Sequence, residues 1–401
     1  MGKPGTLRQK LQWSLPWLAR YPFWRSGELL RRASGKNKTQ HLIFVVANHF
    51  EPGWSTSGVL DLDTQLTRLE EWCGMARRIG DAVRDFDGTP FQHTNFYPAE
   101  QYHPKLLEML SDLQRDGFGE VEIHLHHGVG QPDNADNLRK VMVEFRDILA
   151  HEHGCLSYET GSSKPKYAFV HGNLALANSM GGRCCGVDSE MQILAETGCY
   201  ADFTLPAAPE QSQVPRINAI YQCAHPLHER APHRTGPGVR VGTQTKEPVI
   251  FTGPLIFDWS RRRAGLPVPR IDAGVIAANY PPTYERLQRW RNASISVSGK
   301  PEWIFIKLSC HGFIPEDRDI TIGDPMRRFL ETALEQADKS GTFKIHFASA
   351  REAFNLVQAA VDQQEGEPGA YRDYRLRTRM QTPPRMNENS SLAQPVEMSP
   401  Q

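Results

Sequence analysis

The sequence predicts an α/β fold in which parallel strands alternate with helices and close into a single β/α barrel of seven or eight strands. Two observations support this fold class. Apolar runs of strand length recur about eight times between residues 41 and 347, most of them followed by a helical pattern. No Gly-x-Gly-x-x-Gly or Walker-type loop follows any run, which argues against a nucleotide-binding sheet. An open doubly wound sheet is the alternative architecture.

The predicted elements follow one another with the regular spacing of β/α units. Strands are predicted at residues 41–47, 90–97, 120–126, 166–170, 200–205, 248–257, 303–308 and 343–347. Helical patterns lie around residues 66–76, 104–113, 138–150, 189–196, 284–290, 326–337 and 350–361. The runs at 41–47 and 303–308 are apolar almost throughout, which is typical of strands buried on both faces.

The chain is expected to form one large domain with a segment appended at each end. Residues 1–38 form a basic, aromatic N-terminal arm, residues 39–364 the β/α-barrel domain, and residues 365–401 a polar, proline-rich C-terminal tail that is predicted to be disordered. Within the domain, residues 206–248 are rich in Pro, Gly, His and Arg and are interpreted as a long loop excursion over one end of the barrel.

Composition argues against several kinds of partner and location. The 401 residues include 46 basic and 46 acidic side chains, so net charge gives no reason to expect nucleic acid as a partner. The seven cysteines form no Cys-x-x-Cys pair, which indicates reduced thiols in the cytoplasm rather than a disulfide framework or a zinc knuckle. The absence of a run of about 18 apolar residues predicts no membrane-spanning helix.

The N-terminal arm has a different charge balance from the rest of the chain. It carries nine Lys and Arg residues and one acid, Glu28. Tryptophans and leucines mixed with cations suit the interface of an anionic membrane, so the arm is a candidate for peripheral membrane contact. The alternative is that its aromatics pack on the domain while its cations face water. Pro16 and Pro22 weaken any long helix in the arm.

Polar side chains gather where the predicted strands end. Because a β/α barrel builds its active site from the loops after the carboxyl ends of its strands, these side chains are expected to meet at one rim. They are Asn48, His49 and Glu51 after the first strand, Tyr97 at the second, His124, His126 and His127 at the third, His171 and Asn173 at the fourth, Asp202 in the fifth, and His311 after the 303–308 strand.

The three histidines of the third strand are the centre of this predicted rim. Side chains two apart on a strand point to one face, roughly 7 Å apart along the backbone, so His124 and His126 can bind one atom. His127 can join them only where the strand has ended. Two imidazoles with an oxygen ligand and an open position are typical of a hydrolytic metal site, for which zinc is the expected divalent metal. The alternative is a solvated strand end.

This hypothesis assigns a role to each residue of the rim. The candidate metal ligands are Asn48, His49, His124, His126 and His127. His311 is the candidate acid, and either Glu51 or Asp202 is the candidate base. Tyr97, His171 and Asn173 are candidates for substrate binding. Glu51-Pro52 and His171-Gly172-Asn173 can also be interpreted as turn chemistry alone.

Four motifs resemble the polysaccharide deacetylase (NodB-homology) superfamily, whose members are metal-dependent β/α barrels that remove N-acetyl groups from sugars. The motifs are Val46-Ala-Asn-His-Phe-Glu-Pro52, Glu120-Val-Glu-Ile-His-Leu-His-His127, Ile306-Lys-Leu-Ser-Cys-His-Gly312 and Phe347-Ala-Ser-Ala-Arg-Glu352. The similarity spans residues 41–362, and with Glu196-Thr-Gly-Cys-Tyr-Ala-Asp-Phe-Thr204 the chain looks like one deacetylase-like branch of that superfamily.

The resemblance implies a metal-dependent hydrolase that removes N-acetyl or O-acetyl groups from a cell-envelope or exopolysaccharide sugar. The chain departs from the family pattern at three points. Ala47-Asn48 stands where the family usually has adjacent aspartates, Gly128 where it has its second metal histidine, and Val170-His-Gly-Asn173 where it has an arginine motif. Because an amide cannot act as a base, a catalytically weakened or inactive carbohydrate-binding barrel in a polysaccharide assembly system is the alternative.

Overall fold

The computed structural model describes residues 5–35, 38–55 and 58–380 of the chain. Its helices are α1 (Leu7–Leu18), α2 (Tyr21–Gly35), α3 (Leu62–Ala82), α4 (Pro104–Arg115), α5 (Ala135–Asp147), α6 (Glu190–Thr197), α7 (Tyr284–Asn292), α8 (Pro315–Ile322), α9 (Asp324–Ser340) and α10 (Ala350–Val361). Its strands are β1 (Gln40–His49), β2 (Trp54–Ser55), β3 (Gly58–Val59), β4 (His93–Pro98), β5 (Gly119–Leu125), β6 (Ser157–Glu159), β7 (Pro165–His171), β8 (Cys199–Asp202), β9 (Ala219–Tyr221), β10 (Val249–Thr252), β11 (Ile256–Asp258), β12 (Arg262–Arg263), β13 (Leu266–Pro267), β14 (Arg270–Asp272), β15 (Trp303–Cys310), β16 (Phe343–Phe347) and β17 (Leu376–Thr378).

A large, mostly parallel sheet organises the molecule, which confirms an α/β fold. Its strands follow the order β15-β1-β4-β5-β7-β8-β10-β9, and all neighbours from β15 to β10 run parallel. The strand β9, from the predicted loop excursion, pairs antiparallel with β10. Within the described part of the chain, backbone pairing does not join β9 or β10 to β15, so the ladder itself does not close a barrel.

Strand β1 is the centre of the sheet. It is buried along almost its whole length and pairs with β15 from His41 to Asn48. Its opposite edge is shared, because β16 pairs with the segment Gln40 to Phe44 and β4 with the segment Ala47 to His49. The carboxyl ends of β1, β4, β5 and β15 therefore meet at one end of the sheet, where the sequence predicted a rim of polar residues.

The predicted elements are present with shifted boundaries. Helix α10 has the predicted bounds because a capping box between Ser349 and Glu352 begins it. The predicted strand 248–257 is divided into β10 and β11, since Pro254 has no N–H to donate to a ladder. Helix α8 was missed by the sequence prediction, and two helices form in the N-terminal arm although Pro16 lies inside α1.

The described part of the N-terminal arm packs on the domain. Trp17 is buried in a small apolar cluster with Ile217 and Leu255, and the ring of Tyr21 contacts Phe257 at 5.0 Å between centroids. This is the packing alternative that the sequence left open for the aromatic residues. Residues 1–4 and 36–37 of the arm lie outside the described residues.

The C-terminal tail was predicted to begin too early. Residues 365–380 are part of the folded domain, and Arg372 among them is buried. Its guanidinium lies 2.9 Å from Asp85 Oδ2 and 3.0 Å from Asp87 Oδ2, and β17 pairs with β6. A buried cation needs such carboxylate partners, and the polar composition of the segment reflects these ion pairs. Residues 381–401 lie outside the described residues.

All seven cysteines are free thiols, as the absence of a disulfide framework in the sequence predicts. Among the helices that the structure describes, none combines the length and the apolar character that crossing a bilayer requires.

Candidate functional site

His124 and His126 come together at the end of β5. His124 lies inside the strand, and His126 is the first residue after it. Their ring centroids are 4.6 Å apart, and both Nε2 atoms approach Oε1 of Glu51, at 3.3 Å from His124 and 3.2 Å from His126. Gly172 makes room for this arrangement, because a Cβ there would lie 2.4 Å from the His126 ring. The spacing of the two histidines predicted their convergence, but not the carboxylate that they share.

The other nitrogen of each imidazole is occupied by an acceptor. His124 Nδ1 lies 2.7 Å from the carbonyl oxygen of Val170, and His126 Nδ1 lies 2.6 Å from Oε1 of Glu100. Because both partners can only accept, each Nδ1 donates and each Nε2 faces Glu51. A protonated Nε2 can donate to this carboxylate, whereas a deprotonated Nε2 would offer its lone pair to a cation shared with Glu51.

Two further histidines border this group. The His49 ring centroid lies 5.0 Å from that of His124 and 4.7 Å from that of His311. His49, Glu51 and His124 each offer a ligand atom, and these atoms all lie within 4.8 Å of one another. We call His49, Glu51, His124, His126 and His311 the Glu51 cluster.

Electrostatics divide the Glu51 cluster into charged and neutral groups. Burial opposes ionisation of Glu51, but hydrogen bonds from His124 and His126 outweigh it and lower the pKa of the carboxyl. Burial also opposes protonation of His126, yet Glu100 and Glu51 raise its pKa to about 9. The pKa values of His49 and His311 are lowered, chiefly by burial. A carboxylate with a lowered pKa is a weak base, so Glu51 suits a ligand better than the base that the sequence suggested.

His127 belongs to a second group on the other side of the strand end. Its Nε2 lies 3.1 Å from His171 Nε2 and 3.0 Å from Glu190 Oε1, and the thiol of Cys185 lies 3.6 Å from Glu190 Oε2. We call His127, His171, Cys185 and Glu190 the Glu190 cluster. All four side chains are buried, and together they could hold a metal ion.

Asn48 and Asp202 are placed differently from their predicted roles. The Asn48 amide oxygen accepts from the N–H of Gly312 at 2.9 Å, and its Nδ2 donates to Asn95 Oδ1 at 3.1 Å. These hydrogen bonds connect Asn48 of β1 to β4 and to the loop after β15. The amide is used in these bonds instead of in the metal ligation expected from sequence. Asp202 accepts from the hydroxyl and the N–H of Thr204, at 2.7 and 3.1 Å, and burial raises its pKa to about 7. Its carboxylate forms a turn with Thr204, whereas the sequence offered it as an alternative to Glu51 for the base.

The predicted substrate-binding residues are also dispersed. Tyr97 is fully buried and donates its hydroxyl to the carbonyl of Gln101 at 2.8 Å, so it offers no surface to a ligand. His171 lies in the Glu190 cluster, and Asn173 is an exposed turn residue with a φ of 54°. For Asn173 the structure therefore agrees with the alternative interpretation of His171-Gly172-Asn173 as a turn.

A cavity of about 470 Å³ opens beside His126. Its lining includes Glu100, Tyr102, Gln131 and Asn137. Its volume lies within the range of small-ligand pockets, and an aromatic ring among polar groups is a typical lining for them. The residues that line the cavity therefore come from the loops after β4 and β5 and from α5, rather than from the loop after β7.

Sequence reasoning missed Cys185 and Glu190. Cys185 lies in the irregular connection between β7 and α6, and Glu190 is the first residue of α6. No periodicity of the sequence relates either residue to His127. One signal is present at Gly128, where a Cβ would lie 1.9 Å from the carbonyl oxygen of Cys185. This glycine has a φ of 63° and allows the two backbones to touch. Position 128, where the family pattern has a histidine, therefore serves a close backbone approach here.

The chain has no significant match among models of protein families, among curated proteins or among solved structures.

Proposed function

We propose that the protein is a metal-dependent hydrolase of the polysaccharide deacetylase type, which removes N-acetyl or O-acetyl groups from a cell-envelope or exopolysaccharide sugar. The observation that carries this proposal is the convergence of two Nε2 atoms on Glu51 Oε1, at 3.3 and 3.2 Å, beside a cavity. Glu51 and His124, with His49 or His126 as the third ligand, would hold a divalent ion, zinc by its preference for nitrogen and carboxylate ligands. When bound, the ion lowers the pKa of a water molecule and polarises the acetyl carbonyl.

His311 supplies the proton transfer in this proposal. Its ring is neutral at neutral pH, because burial lowers its pKa, and it contacts the ring of His49 in the Glu51 cluster. A neutral imidazole can accept the proton of the attacking water and then donate it to the nitrogen of the leaving amine. The water oxygen forms the new bond to the carbonyl carbon, and the carbon–nitrogen bond breaks. One group thus serves in turn as base and acid, so no aspartate at position 48 is required.

A closed barrel is part of the proposal. The Phe251 ring of β10 contacts Phe305 of β15 at 6.2 Å between centroids, and Lys307 Nζ donates to the carbonyl of Phe203 at 3.0 Å. These contacts link the two ends of the sheet through side chains. They support a β/α barrel whose wall is completed by packing between β10 and β15 instead of by a continuous ladder.

Acetate release tests the proposed function. Protein loaded with zinc and freed of excess metal is incubated with chitin oligosaccharides and with O-acetylated sugars. We expect release by the wild type and a loss of about 100-fold or more in Glu51→Gln, because the shared ligand oxygen is replaced by an amide. His151→Ala, which removes an exposed histidine, is the matched control and should keep full activity. Zinc bound at the Glu51 cluster without acetate release from any of these sugars would overturn the hydrolase proposal.

A carbohydrate-binding barrel is the second candidate function. Asn48 favours it, because the amide that replaces the family aspartate is committed to hydrogen bonds with Gly312 and Asn95. In that case the cavity binds acetylated sugars without cleaving them. Calorimetric titration with the same oligosaccharides separates the two functions, since binding without acetate release supports only the second.

We further propose that the N-terminal arm touches an anionic membrane. Leu7, Leu11 and Leu15 form a stripe along α1 and are 77%, 57% and 62% exposed, and the exposed cation Arg8 lies next to them. An apolar stripe beside cations complements anionic headgroups. Replacing the three leucines with serine should abolish sedimentation with phosphatidylserine vesicles, whereas Gln12→Ser should not. Sedimentation that the triple variant retains would contradict this contact.

A further inference from the structure

We propose that the Glu190 cluster is a buried structural zinc site, separate from the Glu51 cluster, which fixes the segment between β7 and α6 to the exit of β5. This inference is independent of the hydrolase proposal, because it rests on different residues and assigns no reaction to them. Its donors are two imidazole nitrogens, a thiolate and a carboxylate oxygen, which is a ligand set that suits tetrahedral zinc.

The ligand atoms face one another inside the protein. The Nε2 atoms of His127 and His171 are 3.1 Å apart, and Glu190 Oε1 lies 3.0 Å from the first and 3.4 Å from the second. One ligand atom from each of the four residues, including Cys185 Sγ, can be chosen so that all lie within 4.8 Å of one another. Their side chains come from three separate parts of the chain, so their convergence is not a consequence of local sequence.

Hydrogen bonds behind the ligands fix the orientation of both imidazoles. His127 Nδ1 lies 2.9 Å from Asp133 Oδ2, and His171 Nδ1 lies 2.5 Å from the carbonyl oxygen of Gly172. Both partners accept, so both Nδ1 atoms donate, and the two Nε2 atoms face each other and the Glu190 carboxylate. This arrangement needs a positive charge among the three atoms, which either a metal ion or a proton on His127 can supply, and an acceptor behind each Nδ1 is the usual support of a metal-binding histidine.

The surroundings match a largely buried site. His171, Cys185 and Glu190 are each 0% exposed, and only His127, at 8%, borders the cavity beside His126. The second oxygen of Glu190 accepts from the N–H of Ala177, which leaves Oε1 for a metal ion. The backbone of Cys185 is held by the N–H of Asp133 at 2.8 Å, across the close approach at Gly128. A structural zinc site has this character, with four protein ligands and no room for a substrate.

A metal at the Glu190 cluster would connect the segment between β7 and α6 to the exit of β5. His127 follows His126 directly, so a ligand bond at residue 127 restrains the backbone that carries His126. The alternative without a metal is an imidazolium at His127 that donates to Glu190. The metal site and the imidazolium alternative differ in the ionisation of Cys185, because only a bound metal requires this side chain to be a thiolate.

Cobalt substitution of the full-length protein tests the inference. Cobalt bound to a thiolate gives an intense near-ultraviolet charge-transfer band, and the Glu51 cluster contains no cysteine that could produce it. We expect the band in wild type and in a His124→Ala/His126→Ala variant, and its loss in Cys185→Ser. Cys184→Ser is the matched control, because it changes the neighbouring thiol and should retain the band.

The wild-type protein alone can overturn the proposal. Zinc content is measured by mass spectrometry after dialysis against a mild chelator, where one retained ion per chain is expected. Wild-type protein that retains no zinc and gives no cobalt–thiolate band contradicts a metal at the Glu190 cluster, as does a band that disappears in Cys184→Ser but persists in Cys185→Ser. These results do not depend on acetate release, so failure of the second site and failure of the hydrolase proposal remain distinguishable.

Discussion

The Glu51 cluster and the Glu190 cluster begin at adjacent residues, His126 and His127, yet they have different characters. Both histidines border the same cavity, but the His126 side chain is 22% exposed and the His127 side chain only 6% exposed. The carboxylate at the centre of the first cluster is 9% exposed, and that of the second is 0% exposed. One is suited to receive a ligand from solvent, and the other is suited to hold the chain together. Residue type alone does not distinguish these two uses of histidine.

The separation follows the alternation of side chains at the exit of β5. The strand stops at Leu125, which pairs with His171 of β7. Successive side chains of an extended segment point in opposite directions, so His126 turns to Glu51 and His127 turns to Glu190. The end of the strand before His127 therefore does not bring this residue to His124 and His126.

Replacing each of these neighbours by alanine is the strongest way to break the comparison. His127→Ala should lower the free energy of unfolding by about 3–5 kcal/mol, because it leaves the carboxylate of Glu190 buried beside fewer partners. His126→Ala should cost less, about 1–3 kcal/mol, because its partners Glu51 and Glu100 are less completely buried than Glu190, while acetate release falls by about 100-fold or more. Urea unfolding and the acetate assay on both variants measure these effects.

Glu190→Gln is the control for the stability effect, since it removes the buried charge and keeps the shape of the side chain. Combined with His127→Ala it should cost less than the sum of the two single changes, because the two residues are in direct contact. Equal stability losses in His126→Ala and His127→Ala would show that the two clusters do not differ in the way proposed.

Asn48→Asp tests whether residue 48 takes part in the Glu51 cluster, and its expected effect on stability is smaller than that of His127→Ala. In a deacetylase pattern an aspartate at this position would add a ligand or base and raise activity. Here the Asn48 amide donates to Asn95, so the aspartate loses that donor in a fully buried place. We expect a loss of about 1–3 kcal/mol in unfolding free energy and no gain in acetate release. Asn173→Asp, at an exposed turn, is the matched change and should leave stability unaltered; higher activity in Asn48→Asp would assign residue 48 to the reaction.

The sequence predicts the sheet better than it predicts the clusters, for a physical reason. β1 and β15 are recognisable because strands buried on both faces need continuous apolar runs, and α10 because its cap lies in its own first turn. His124 and His126 are linked by strand periodicity. The pairing of His127 with Cys185 and Glu190 depends instead on the path of an irregular connection, which no period encodes. The buried ion pairs of Arg372 escape detection similarly, because their composition resembles that of a solvated tail.

A histidine outside both clusters sharpens the comparison, because it is buried among aromatic rings instead of beside carboxylates. His93 is 2% exposed and lies between Trp72 and Phe91, with ring centroids at 5.4 and 5.3 Å. Burial lowers its pKa to about 3, from about 6.5 in an unfolded chain. The unfolded state therefore binds the proton first, and this histidine reduces stability as pH falls from about 6.5 towards 3, whereas it has no such effect above pH 6.5.

His93→Leu removes this dependence. The free energy of unfolding, measured in urea at pH 7.5, 6.0 and 5.0, should fall less steeply in the variant than in the wild type, by about 1.4 kcal/mol per pH unit below pH 6.5. Because only the slope is compared, any constant packing cost of leucine cancels. His151→Leu, at an exposed position, should keep the wild-type slope. An unchanged slope in His93→Leu would mean that His93 takes up its proton in the folded protein as readily as in the unfolded chain, and that burial among aromatic rings does not separate it from the histidines paired with carboxylates.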